Sequence, residues 1–169
     1  MNIKGGSKVG DFSIRFREMS DDEFDKFVES SVLDYSQDLL KSGLCSEENA
    51  FERAQKEFNE LLPEGKYTKD NFIYMVVNSD NEDVGIIWYK KLTESEAFIC
   101  DFLIFEKFRK KGYGKQTLLL LDNDVKEKGV NKMRLHVFRF NKTAFSLYNS
   151  IGYKIAKEDG GSIFMVKDI

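Results

Sequence analysis

Five cationic side chains, Lys107, Arg109, Lys110, Lys111 and Lys115, surround two glycines, Gly112 and Gly114. An apolar run from Ala97 to Phe105 comes just before them. A helical pattern follows at once, with Leu118, Leu119, Leu121 and Val125 as its apolar positions. Arg109, Gly112 and Gly114 therefore fall in a strand-to-helix turn whose amides open the helix. Glycine lets the backbone come close to a ligand, and a helix N-terminus offers unpaired N–H donors at the positive end of a dipole. This is chemistry for holding a polyphosphate. The Walker A pattern is excluded, because Gly114-Lys115 is followed by Gln116 and position 109 is Arg. The dinucleotide fingerprint fails as well, because Thr117 stands where its third glycine belongs.

A second constellation lies downstream. After a strand-like run, Arg134 to Phe138, the chain reads Asn141-Lys-Thr-Ala144-Phe-Ser-Leu-Tyr148-Asn-Ser-Ile-Gly152-Tyr153. Asn141 is a helix cap by type, Ala144 permits close packing, and Gly152 ends a helix in the left-handed conformation. Together the two constellations resemble the GNAT superfamily of N-acetyltransferases. Arg109, Gly112 and Gly114 fill its Arg/Gln-x-x-Gly-x-Gly/Ala loop. Asn141, Ala144, Tyr148, Gly152 and Tyr153 fill every fixed position of its Asn-x-x-Ala-x-x-x-Tyr-x-x-x-Gly-Phe/Tyr pattern. The resemblance covers about a third of the chain, Phe98 to Tyr153.

The resemblance implies an acetyl-CoA-dependent enzyme that acetylates a primary amine of a small molecule or peptide by direct attack. The cofactor's pyrophosphate would rest on the amides of Arg109, Lys110, Lys111, Gly112, Tyr113, Gly114 and Lys115. Amides of Phe102, Leu103 and Ile104 would bond the pantetheine arm, and Asn141 would touch the pantetheine or phosphate region. No metal is expected. The alternative is a non-catalytic acyl-CoA sensor or interaction module, and the intact Tyr148 speaks against it.

Acetyl transfer needs a neutral amine, a polarised carbonyl and a protonated leaving thiolate. A lysine-like amine has a reference pKa near 10.4, so a base or a desolvating pocket must release its proton. In the superfamily a tyrosine at the place of Tyr148 commonly protonates the thiolate. Asp101 is the one charged residue in the run Ala97 to Phe105 and is the candidate base. A structural anchor, accepting backbone hydrogen bonds or pairing with a cation, remains equally open for it. Related sequences often carry an acid two positions further on, where this chain has Leu103. Glu29, Glu94 and Glu96 are the substitutes.

With 169 residues, 41% hydrophobic and 14% aromatic, the chain suits one soluble α/β domain spanning residues 1–169. No apolar stretch approaches membrane-spanning length, and Met1 to Phe12 is unlike a signal peptide, so the cytoplasm is the expected compartment. Neither a nucleic acid nor a membrane is expected as a partner, and the protein is read as a monomer or homodimer. Cys45 and Cys100 form no disulfide or metal pattern. Cys100 is expected as a buried inert thiol. His136, the only histidine, sits in a strand pattern, which argues against metal ligation and histidine catalysis.

The elements that must position these groups alternate along the chain. Phe12, Ile14 and Phe16 mark a first strand, and Ser20 to Glu23 forms a capping box before a helix with the stripe Phe24, Phe27, Val28, Tyr35 and Leu39. A second helix is predicted over Ser46 to Leu62, with Ala50, Phe51, Ala54, Phe58 and Leu61 on one face. Strands follow at Asn71 to Val77, Val84 to Leu92 and Glu96 to Phe105. After the loop helix come the Arg134 strand, the Asn141 helix and a final strand pair around Ile155 and Ile163. The fold expected is a GNAT-like mixed, mostly antiparallel sheet with flanking helices. From Glu18 to Glu64 there are 14 acidic against 4 basic residues, whereas the loop is strongly basic. Such a field would favour a cationic acceptor; solvated helix faces are the plainer account.

Overall fold

The computed structural model describes residues 13–169; Phe12, expected in the first strand, and the segment Met1 to Phe12, expected to be unlike a signal peptide, lie outside the described residues. Alternating side chains from Ile14 onward make β1 (Ile14–Glu18), the edge of a seven-stranded sheet. Then follow β2 (Asn71–Asn78), β3 (Asp83–Lys91), β4 (Glu96–Ile104), β5 (Lys132–Phe138), β6 (Lys154–Asp159) and β7 (Ser162–Asp168). Their spatial order is β1-β2-β3-β4-β5-β7-β6. Every neighbouring pair is antiparallel except β4 and β5, which run parallel. A parallel neighbour needs a crossover, and helix α3 (Tyr113–Glu127) provides it.

Two helices precede β2. In α1 (Asp21–Lys41) the Ser20 side chain accepts from the Glu23 amide while the Glu23 carboxylate accepts from the Ser20 amide. This reciprocal cap starts the helix where the sequence places it. Its buried stripe is Phe24, Phe27, Val32, Ser36 and Leu39, whereas Val28 and Tyr35 are half-buried. In α2 (Glu47–Leu61) the buried positions are Ala50, Ala54 and Phe58, followed by Leu62. Phe51, expected on that face, is instead 54% exposed. The buried row runs in steps of four, and position 51 is rotated to its outer edge.

Strand alternation distributes the core over both faces. Ile73, Met75, Val77, Ile86 and Trp88 pack under α1 and α2, while Val76, Ile87 and Tyr89 pack with Leu118, Leu121 and Val125 of α3. Helix α4 (Lys142–Ser150) joins the second face through Tyr148, and Asn141 caps it by accepting from the Ala144 amide at 3.1 Å. Gly152, with φ +102°, lets the chain leave α4 and enter β6.

Two irregularities in β4 shape the site. Trp88 pairs with Asp101 and Tyr89 with Ile99, so Cys100 is an extra residue, a β-bulge. Beyond Ile99, paired with Leu135, β4 and β5 no longer bond to each other. Asp101 to Ile104 stay on β3, and His136 to Phe138 stay on β7. The strands therefore splay, and the sheet opens.

Candidate active site

The opening leads into a cleft of about 1050 Å³ whose walls come from α1, α2, β4, β5, the loop before α3, and α4. Phe102, Leu103 and Ile104 line it from β4, Arg109, Lys110, Tyr113 and Gly114 from the loop, and Asn141 and Tyr148 from the last helix. Lys111, Gly112 and Lys115 are exposed at the loop's outer side and do not form the wall.

Pairing decides which β4 groups can reach a ligand. The Phe105 amide donates to the Val84 carbonyl at 2.9 Å. Main-chain groups point alternately to the two edges of a strand, so Leu103, opposite Ile86, directs its amide and carbonyl toward β3. The amides of Phe102 and Ile104 face the cleft edge. There the Ile104 carbonyl accepts from Arg109 Nε at 2.9 Å, which folds the arginine back onto the strand end.

The loop geometry fits an anionic group. Lys110 (φ +60°) and Gly112 (φ +84°) are both left-handed, and Gly112 is the N-cap of α3. Successive turns of this kind gather amides into a concavity at a helix N-terminus. A Cβ on Gly112 would meet only Gln116 Nε2, at 4.0 Å. Its need for glycine is thus conformational within the protein. Gly114 differs, since a Cβ there would stand 3.2 Å from Leu147 Cδ2 and near Phe102 and Ile104. Lys107 and Lys111 lie over the Phe108 ring, and the Tyr113 hydroxyl accepts from Asn78 Nδ2 at 3.3 Å.

Asp101 and Tyr148 both line the cleft. Asp101 Oδ2 accepts from Ser31 Oγ of α1 at 3.0 Å. Burial pushes its carboxyl up to about 6, against the Ser31 and Phe102 amide hydrogen bonds that lower it; Asp34 and Asp38 raise it further. Tyr148 is 7% exposed, packed on Phe102 and Tyr153 at 6.4 and 5.7 Å between ring centres. Burial first, then the Asp101 charge, raises its hydroxyl pKa, so the proton stays on at neutral pH. The substitutes for the base do not reach the cleft. Glu29 is exposed, Glu94 pairs with Lys91, and Glu96 is held by Arg134 at 2.9 Å.

Sequence reasoning did not name the α1 residues that line the cleft, Ser31, Asp34, Tyr35 and Asp38. Their signal was present as a polar row at helical spacing beside the apolar stripe. Cys100 is half-buried and lines the cleft, with burial pushing its thiol up to about 12. His136 also lines it, half-buried against Phe138 and Phe164, and burial lowers its pKa.

A splayed parallel strand pair, a bulged β4 and an amide-rich helix N-terminus define an α/β fold with a cleft whose loop end fits an anionic ligand. Residues 36–153 match the Acetyltransferase (GNAT) family, and the chain belongs to it. The uncharacterized N-acetyltransferase YycN of Bacillus subtilis (strain 168) is 32% identical over 84% of this chain and 93% of its own. Its crystal structure superposes with a TM-score of 0.84 over 86% of this chain and 95% of that one. A spermidine N(1)-acetyltransferase of Thermoplasma acidophilum is 27% identical over 92% of this chain and 97% of its own. The PaiA N-acetyltransferase of the same organism, crystallised with coenzyme A, is 25% identical, with a TM-score of 0.70 over 93% of this chain and 99% of that one. The protein is an acetyl-CoA-dependent N-acetyltransferase acting on amines. Among the described residues, no helix is long and apolar enough to cross a membrane.

Proposed function

We propose that the acceptor is a cationic primary amine bound under α1, that Asp101 takes its proton, and that Tyr148 protonates the departing thiolate. The observation that carries this reading is the shared cleft. Asp34, Asp38 and Asp101 stand together on its α1 side, while the amides of the loop lie at its other end. A cationic acceptor is drawn toward the three carboxylates. The spermidine N(1)-acetyltransferase among the relatives supports this class of acceptor.

Acetyl-CoA supplies an activated thioester; this chain supplies positioning and proton traffic. Its pyrophosphate is assigned to the amides of Lys110, Lys111, Gly112, Tyr113, Gly114 and Lys115; the Arg109 amide, expected among them, donates instead to the Glu106 carbonyl at 3.2 Å. Phe102 and Ile104 carry the pantetheine side, with Asn141 at the rim; Leu103, expected to share that role, has its amide turned to β3. Above about pH 6 Asp101 is ionised and can accept the amine's proton. Once it has done so, the negative charge that helps to raise Tyr148 disappears. Tyr148 thus becomes a stronger acid as the thiolate forms. Before that point its hydroxyl serves as a donor to the developing charge.

The test is a thiol-release assay with acetyl-CoA against spermidine, putrescine, a lysine-bearing peptide, a neutral amine and an amino acid. Fastest turnover with a cationic amine is expected. A preferred anionic acceptor would defeat the reading.

A further inference from the structure

We propose that Ser31 is a positioning residue, holding the Asp101 carboxylate in the cleft through a hydrogen bond from α1; this rests on the reading of Asp101 as proton acceptor. Three serines lie within two turns of this helix. Ser30 Oγ donates back to the Lys26 carbonyl at 2.9 Å, and Ser36 Oγ to the Leu33 carbonyl at 2.6 Å. That return to the local backbone is the usual habit of a helical serine. Ser31 does otherwise. Its hydroxyl crosses to Asp101 Oδ2 at 3.0 Å, bridging positions 70 apart in sequence.

The geometry gives this bond a consequence. A hydroxyl that donates to a carboxylate stabilises the ionised form, against burial, which favours the neutral acid. Ser31 and the Phe102 amide are the groups that lower the Asp101 pKa, while Asp34 and Asp38 of α1 raise it. Other charged or titratable groups line the same cleft: Tyr35 of α1, Arg53 and Glu57 of α2, Lys90 of β3, Cys100 of β4, His136 of β5 and Tyr148 of α4. Arg109, Lys110 and Tyr113 stand at its loop end. Arg53 and Glu57 pair with each other at 2.9 Å. Replacing Ser31 by Ala leaves all of these in place and removes one oxygen. Without it Asp101 would hold its proton to higher pH and be a poorer acceptor near neutrality.

The experiment is a carbon-detected NMR titration of side-chain carboxyls in the free enzyme, with the Asp101 signal assigned by its loss in Asp101→Asn. In the wild type the midpoint is expected at about 6. In Ser31→Ala it should rise by about half a unit or more, roughly a threefold change in proton affinity. Ser31→Thr, which keeps the hydroxyl, should restore the wild-type value. An unmoved midpoint in Ser31→Ala, or an equal shift in Ser31→Thr, overturns the assignment of Ser31. Wild-type turnover by Asp101→Asn would instead overturn the proton-acceptor reading, whatever the titration shows.

Discussion

Trp88 faces Asp101 across β3 and β4, and its neighbour Tyr89 faces Ile99, which leaves Cys100 unpaired. The extra residue changes the side of the sheet on which Asp101 lies. By simple alternation position 101 belongs with Ala97 and Ile99, which pack on the α3 face. The bulge shifts the phase by one. Phe102 and Ile104 then pack on the α3 face, and Asp101 turns to Ser31 of α1. The candidate base therefore owes its position to one inserted residue.

Asp101 should lower stability in the range where it is ionised. Its folded-state pKa of about 6 lies above the ordinary aspartate value. Between roughly pH 4 and 6 the native state binds more protons than the unfolded state, so stability falls as pH rises through that window. Scanning calorimetry should find Asp101→Asn melting above the wild type at pH 8, with the gap closing toward pH 4. A constant gap at all pH values would assign the effect to packing.

Tyr148→Phe keeps the ring packed on Phe102 and Tyr153 and removes only the hydroxyl. Turnover should fall about 10²-fold or more, with acetyl-CoA affinity little changed. Steady-state kinetics and calorimetry on the same preparation separate the two quantities. Unchanged turnover, with chemistry limiting, assigns the tyrosine to packing.

Gly112 and Gly114 should respond differently to substitution. Gly112→Asn, which tolerates φ near +84°, should retain most coenzyme A affinity, whereas Gly112→Val should lose it through backbone strain. Gly114→Val should reduce thermal stability as well, because its side chain meets Leu147. Equal losses in Gly112→Asn and Gly112→Val would show that any side chain there obstructs the ligand.

Asp34→Asn combined with Asp38→Asn should raise KM for a cationic amine several-fold with a smaller change in kcat. The wild-type kcat/KM should fall with salt, because attraction across a solvated cleft is screened. Salt-independent kinetics with a cationic acceptor would count against electrostatic attraction.

Much of this protein is local, and the sequence determined that part by itself. The Ser20–Glu23 capping box, the Asn141 cap, the left-handed glycines 112 and 152, and the α3 stripe of Leu118, Leu121 and Val125 all follow from interactions within a turn or two, although Leu119, expected in that stripe, is only half-buried. The two site motifs were legible for the same reason. What only the tertiary structure decided depends on partners distant in sequence. The bulge at Cys100 is defined by register against β3, and the cleft by where β4 leaves β5 after Ile99. The meeting of Ser31 with Asp101 needs α1 laid across the sheet face. Phe51, apolar yet exposed, shows the converse, for residue type proposes a buried face and packing selects which residues occupy it.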